Sequence, residues 1–177
     1  MKNNTTRFMV AAALLAALDI VFVRLLPSYF LPPGQYLFRI TPQFLCYGLA
    51  GWLIGPGWAM GTAAVADIIG AMVNPTGPGT VFPGYTLTAI LSGLVYGLML
   101  YRRKPQLWRG LTAAGLHLVA VALPLTSLWM LMQNETPFLT TFWLALPWRA
   151  AAVPLFGIAL FGVQKALGKP TARLFGG

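Results

Sequence analysis

Residues 8–26 read FMVAAALLAALDIVFVRLL, with only Asp19 and Arg24 charged. A helix that crosses a bilayer needs about 20 mostly apolar residues, because the hydrocarbon core is about 30 Å thick. Lys2 and Arg7 precede the run as they would in a secretory leader, but no convincing small-x-small cleavage site closes it. The segment is therefore expected to stay in the protein as a first spanning helix.

The rest of the chain extends this reading. Of 177 residues, 58% are apolar, 13% aromatic and 8% charged. A soluble domain carries roughly 25% charged residues. Three acids (Asp19, Asp67 and Glu135) stand against twelve Lys and Arg, for a formal charge of +9. A basic balance often points to phosphate partners. Here the cations flank long apolar runs, which argues against a disordered or nucleic-acid-binding protein and for an integral membrane protein.

Apolar runs and their Pro/Gly punctuation give six expected spans, at 7–26, 39–54, 58–73, 84–101, 109–132 and 138–167. The expectation is an all-α integral membrane protein, a compact bundle of six transmembrane helices forming one domain over residues 1–177. Spans two and three are short and separated only by Gly55-Pro56-Gly57, so a re-entrant pair fits the same pattern. With both termini cytoplasmic, nine of the twelve cations and no acid fall inside, as the positive-inside rule asks.

Arg24, Arg39 and Arg149 stay unexplained by that rule. Charges at membrane depth are costly and usually face the bundle interior. Two readings are open. Arg24 and Arg39 snorkel while Arg149 pairs with Asp67 or Asp19, or all three line one anion-receptive cavity that opens outward. In span six, Pro147 and Pro154 each remove a backbone donor. A broken helix beside a watery cavity and a plain packing kink both fit, and Pro124 in span five belongs with the kinks. The 27–38 and 74–86 loops are rich in Pro, Gly and aromatic residues, and read either as lids or as connectors.

Catalytic and metal chemistry find little support. Cys46 is the sole cysteine and His117 the sole histidine, and with two membrane acids they supply little for hydrolytic chemistry or a metal cluster, so no cofactor is expected. An intramembrane enzyme is a remote alternative, and a purely structural membrane subunit is another. Ala12 and Ala16 form a small-residue stripe that would let another helix approach closely. Most such stripes serve internal packing, but this one is the best candidate for an external partner.

Several pieces together resemble a known family. They are Ala12-Ala-Leu-Leu-Ala-Ala-Leu18 with Arg24-Leu-Leu26, Ala66-Asp67-Ile-Ile-Gly70, Phe82-Pro-Gly-Tyr-Thr-Leu-Thr-Ala89, Gly93-Leu-Val-Tyr-Gly-Leu98 and Tyr101-Arg102. In order and spacing they are similar to the folate-family substrate-binding (S) component of energy-coupling factor (ECF) transporters, over about residues 7–167. Ser127-Leu-Trp129 resembles the family's tryptophan in span five. The segment Arg39-Ile-Thr-Pro-Gln-Phe-Leu-Cys-Tyr47 departs from the family's glycine-rich Arg-Ile-Gly pattern, and Leu146-Pro-Trp-Arg149 matches its sixth-span signature only in part.

The resemblance implies a multi-pass protein of a prokaryotic cell membrane that takes a vitamin from outside. It implies delivery with a transmembrane T subunit and two cytosolic ATPases, with Ala12 and Ala16 as the T-subunit docking surface. No Walker motif occurs in this chain, so ATP hydrolysis would belong to the partners. The implied ligand is folate or a related pterin, with another vitamin or heterocycle as the alternative. The binding set would comprise Arg24, Arg39, Asp67, the run Phe82, Pro83, Gly84, Tyr85 and Thr86, then Trp129 and Arg149. Aromatic rings would stack on the flat pterin, Asp67 would accept from its amino edge, and arginines would hold the glutamate carboxylates. For Asp67 a structural role stays open beside the ligand role.

Overall fold

The computed structural model describes residues 2–25, 29–31, 38–73 and 82–175. Within these residues the chain forms six helical rods and one short hairpin. Helix α1 spans Lys2–Ile20 and continues into a wider π turn, Val21–Leu25. Strands β1 (Tyr29–Leu31) and β2 (Phe38–Ile40) pair antiparallel, with Phe30 opposite Arg39. Helices α2 (Gln43–Ile54), α3 (Pro56–Val73), α4 (Pro83–Leu100), α5 (Leu107–Asn134) and α6 (Phe138–Phe175) follow. Five of the six are long and apolar enough to cross a membrane, and α2, with 12 residues, is shorter.

Span two was expected from Arg39, but its helix begins only at Gln43. Pro42 takes the N-cap position (φ −66°, ψ 0°) and has no N–H to give a preceding turn. Proline also biases the residue before it toward extended backbone, and residues 38–40 are a strand. At about 1.5 Å per residue, α2 covers about 18 Å of a hydrocarbon core near 30 Å. Three strand residues at about 3.3 Å each make up most of the difference. Extended backbone is tolerated at such depth when its polar groups are paired, and the β1–β2 ladder pairs them.

Small residues set how closely the rods approach. A Cβ on Gly51 would lie 2.6 Å from the Gly97 backbone, and one on Gly93 would lie 2.7 Å from the Ala59 carbonyl. One on Gly110 would lie 2.8 Å from the Gly157 carbonyl. Helices α2, α3 and α4 therefore meet backbone to backbone, as do α5 and α6, which is how membrane helices gain dispersion energy without a hydrophobic drive. Tyr96, Leu118, Phe156 and Leu160 fill the centre, and Phe44 stacks on Phe156 at 3.8 Å between centroids. Large apolar side chains such as Leu14, Met72, Leu98, Trp143 and Ile158 point outward. Water would penalise that surface and lipid does not.

The end of the bundle where α2 meets α3 and α4 meets α5 is basic. Gly55 holds φ +89° in the α2–α3 link, and a Cβ there would also press on the Tyr101 ring at 3.0 Å. The Trp52 indole N–H donates to the Arg103 carbonyl at 3.1 Å, and the Arg102 guanidinium lies 5.2 Å over the Tyr101 ring. The hairpin and the start of α4 mark the opposite end.

One of the two open readings of span six is ruled out. Span six is not broken at Pro147 or Pro154, since α6 runs unbroken from Phe138 to Phe175. The irregular turns lie in α1 at Val21–Leu25 and in α5 at Leu116–Ala122. The second directly precedes Pro124, whose missing N–H frees the carbonyl of Ala120 from its helical bond. The chain is the expected all-α membrane bundle, with one small addition: part of the expected 27–38 loop forms β1 and pairs with β2.

Candidate functional site

The start of α4 brings the Phe-Pro-Gly-Tyr-Thr run against α5. Phe82 caps the helix in extended conformation and Pro83 opens it, where a missing N–H costs nothing. The Phe82 ring sits 6.0 Å from Tyr85 and 5.5 Å from Trp129, both edge to face. Gly84 makes that approach possible, since a Cβ there would lie 2.6 Å from the Trp129 indole and would also strike the Phe82 ring. The Trp129 indole N–H donates to the Thr88 hydroxyl at 2.9 Å, and the Thr88 hydroxyl donates to the Gly84 carbonyl at 3.1 Å. Trp129 is thus held at its edge while its face looks toward the start of α4.

Polar groups surround these rings. Thr86 donates to the Asp67 carboxylate at 2.6 Å, tying α4 to α3. Tyr85 hydrogen-bonds the Gln133 side chain, and the charge of Arg149 acts on its hydroxyl. Arg149 is only 5% exposed. The same charge reaches His117 inside the irregular part of α5. The His117 ring lies 5.3 Å from that of Tyr96. A buried guanidinium beside an aromatic group can hold a carboxylate or a ring oxygen, and three aromatic rings on two helices can cover a flat heterocycle.

A second polar group lies across α1 and α2. Asp19 is 2% exposed, and the Gln43 side-chain amide donates to it at 3.5 Å and to the Tyr47 hydroxyl at 2.5 Å. Tyr47 also feels the charges of both Asp19 and Asp67. Sequence reasoning did not assign Gln43, Tyr47, Thr88 or Gln133 to the site, and saw Asp19 only as a partner for Arg149. Gln43 and Tyr47 stand four apart and share a helix face, a spacing visible in the sequence once α2 is known to start at Gln43.

The remaining expected residues fall into two groups. The side chains of Arg24 and Arg39, and residues 74–81 of the expected lid, lie outside the described residues. On α1, Ala16 is buried at 7% exposure and Ala12 is half-buried against the α2 cluster of Leu49, Ala50 and Ile54, while Ala13 and Ala17 are exposed. Among the described residues, no group of three His, Cys, Asp or Glu could hold a metal ion.

Known proteins are similar to this chain in sequence and in fold. Residues 7–167 match the sequence profile of the ECF transporter substrate-specific component. The folate transporter FolT of Clostridium novyi (strain NT) is 30% identical over 157 residues, 89% of this chain and 87% of that protein. The chain belongs to the ECF substrate-specific components. The folate transporter FolT of Leuconostoc mesenteroides subsp. mesenteroides is 35% identical over 132 residues, 74% of this chain and 67% of that protein. A crystal structure of FolT bound with folic acid superposes with a TM-score of 0.79 at 27% identity, over 89% of this chain and 92% of that one. The S component for biotin from an ECF-type ABC transporter shares the fold, with a TM-score of 0.66 at 16% identity over 93% and 94% of the two chains. This S component is a multi-pass membrane protein and a transporter part, not an enzyme.

Proposed function

We propose that this S component captures folate or a related pterin from outside the cell. It would pass the ligand inward with a transmembrane T subunit and two cytosolic ATPases. The observation that carries the reading is the aromatic group of Phe82, Tyr85 and Trp129, built around Gly84 and flanked by the buried Arg149. A pterin is flat and suits stacking on such rings. The glutamate carboxylates suit guanidinium forks, from Arg149 and from Arg24 and Arg39 near the hairpin. Folate binding by FolT relatives supports the same ligand.

The hairpin end faces outside in this reading and both termini face the cytoplasm, because Arg102, Arg103 and Lys104 gather at the opposite end. The 27–38 and 74–86 segments would close over the ligand. Asp67, satisfied by Thr86, would hold the start of α4 in register. The exposed face of α1 would meet the T subunit.

The test is native mass spectrometry of the purified protein, followed by titration with folate and with biotin under tryptophan fluorescence. Co-purified pterin and saturable quenching by folate alone are expected. Binding of biotin, or of neither vitamin, would overturn the reading.

A further inference from the structure

We propose that the basic turn between α4 and α5 binds the headgroup of an anionic phospholipid, an inference independent of which vitamin the protein carries. Arg102, Arg103 and Lys104 are consecutive and exposed, and Arg109 follows on the first turn of α5. None of the chain's three acids lies at this end. Asp19 stands in the last turn of α1, Asp67 in the last turns of α3, and Glu135 directly follows α5. No carboxylate side chain of the protein is therefore placed to neutralise these cations.

The turn is a built structure rather than a loose basic arm. The Tyr101 N–H donates to the Gly97 carbonyl and the Arg103 N–H to that of Leu100, both at 3.0 Å, so the chain folds back tightly as α4 ends. Arg102 sits inside this turn at φ +53°, a left-handed conformation that glycine or asparagine takes at less cost. Its guanidinium lies 5.2 Å over the Tyr101 ring. From α2, the Trp52 indole N–H donates to the Arg103 carbonyl at 3.1 Å. Strained backbone persists where its surroundings hold it, and such positions cluster at ligand-binding sites. A backbone fixed in this way lowers the ordering cost of gathering three cations on one anion.

Charge alone would suit any anion, and the neighbouring side chains favour a lipid. Leu98 and Met99 on the last turn of α4, and Leu107 and Trp108 on the first turn of α5, are exposed apolar groups on either side of the turn. The Arg109 guanidinium lies 5.1 Å over the Trp108 ring, which joins cation and indole. Tryptophan and basic residues together settle at the boundary between headgroups and acyl chains. An anionic phospholipid meets both parts of this surface. Its phosphate oxygens accept from guanidinium N–H groups in the paired geometry that arginine favours. Its acyl chains cover the apolar side chains, which a free phosphate would leave bare.

The test is native mass spectrometry of the full-length protein in a neutral detergent, titrated with phosphatidylglycerol and with phosphatidylcholine of the same acyl chains. The parent is expected to hold phosphatidylglycerol roughly 20- to 100-fold more tightly, as two or three cations at about fivefold each imply. The Arg102→Gln, Arg103→Gln, Lys104→Gln protein should lose most of that preference. Lys165→Gln, which removes an exposed cation of α6, should keep it. Glycerol 1-phosphate and inorganic phosphate should not displace the lipid at equal concentration. In the parent, phosphatidylglycerol with a photoreactive headgroup should cross-link within residues 98–109. Equal retention of the two lipids by the parent overturns the inference. So does a preference that Lys165→Gln erases as fully as the triple substitution, since the charge would then act diffusely. Displacement by glycerol 1-phosphate at equal concentration overturns it in favour of a soluble anion. Cross-linking confined to other segments overturns it as well, and that readout needs no variant to fold.

Discussion

The Thr86 hydroxyl donates a 2.6 Å hydrogen bond to the Asp67 carboxylate, joining the last turns of α3 to the first turn of α4. Thr86 adjoins Tyr85, so the bond fixes where the aromatic group begins. Thr86→Val keeps the side-chain shape and removes the donor, leaving a half-buried carboxylate short of a partner. The expected cost is about 1–3 kcal/mol, read as a lower melting midpoint in detergent. Asp67→Asn should cost less, because its amide oxygen still accepts. Strict additivity of Thr86→Val and Asp67→Ala in a double-mutant cycle would mean the bond carries no coupling energy.

Gly84→Ala tests the contact that shapes the site. Its Cβ would lie 2.6 Å from the Trp129 indole, so the ring must move, and the Trp129–Thr88 bond with it. Overpacking of this kind costs about 1–3 kcal/mol. A shifted tryptophan emission together with weaker folate binding is expected. Unaltered emission and affinity would show that α4 and α5 separate here without consequence.

Two glycines on facing helices should respond with opposite signs. A Cβ on Gly97 would lie 2.7 Å from that of Pro56 and would meet the proline backbone too, whereas one on Gly61 meets nothing within 4 Å. Gly97→Ala is expected to lower the melting midpoint. Gly61→Ala should raise it by the helix-propensity difference, up to about 1 kcal/mol. Equal effects at the two positions would remove Gly97 as the closest point between α3 and α4.

How much of this was legible in the sequence depended on the kind of signal. The six apolar runs could be read directly, because a spanning helix needs length and hydropathy and nothing from its neighbours. The aromatic group was legible only through resemblance, since Trp129 lies more than forty residues beyond Phe82 and no local pattern joins them. The hairpin was hidden because three-residue strands flanked by proline carry too short an alternation to detect. The inward face of α1 was hidden for a different reason. Both sides of that helix are apolar, so no polar face marks the outside. Its rotation, with Ala16 inward and Ala13 outward, is decided by packing against Leu49, Ala50 and Ile54. The Asp19–Gln43 pair joins residues 24 apart across the hairpin and could not precede knowledge of where α2 starts.

Arg149 offers a test that separates binding from stability. Arg149 has partners inside the bundle, so Arg149→Met is expected to lower the melting midpoint of the ligand-free protein, and titrations are run where the variant stays folded. Folate binding should weaken there by about 1.5–3 kcal/mol, and Arg149→Lys should recover only part of it because an ammonium lacks the planar fork. Titration with pteroate, which lacks the glutamate, locates the contact. An equal loss with pteroate would move Arg149 from the glutamate carboxylates to the ring system.

The last prediction concerns assembly with the T subunit, and it turns on the rotation of α1. Ala16 lies inside the bundle, so Ala16→Leu would force a branched side chain into the contact with α2. That change should lower the melting midpoint of the isolated protein by overpacking, about 1–3 kcal/mol. Ala13 and Ala17 are exposed, four apart on one face, and together leave a shallow groove beside Leu14. Leucine at both would fill the groove and meet only lipid in the isolated protein, so melting and folate binding should stay at parent values. A partner helix that needs close approach to this face would be held off. Co-purification with the T subunit and ATP-dependent folate uptake in vesicles should then both fall. Retained assembly in the Ala13→Leu, Ala17→Leu protein would place the T-subunit contact on another helix. Loss of assembly in Ala16→Leu beyond its loss of stability would shift the docking face to the inward side of α1.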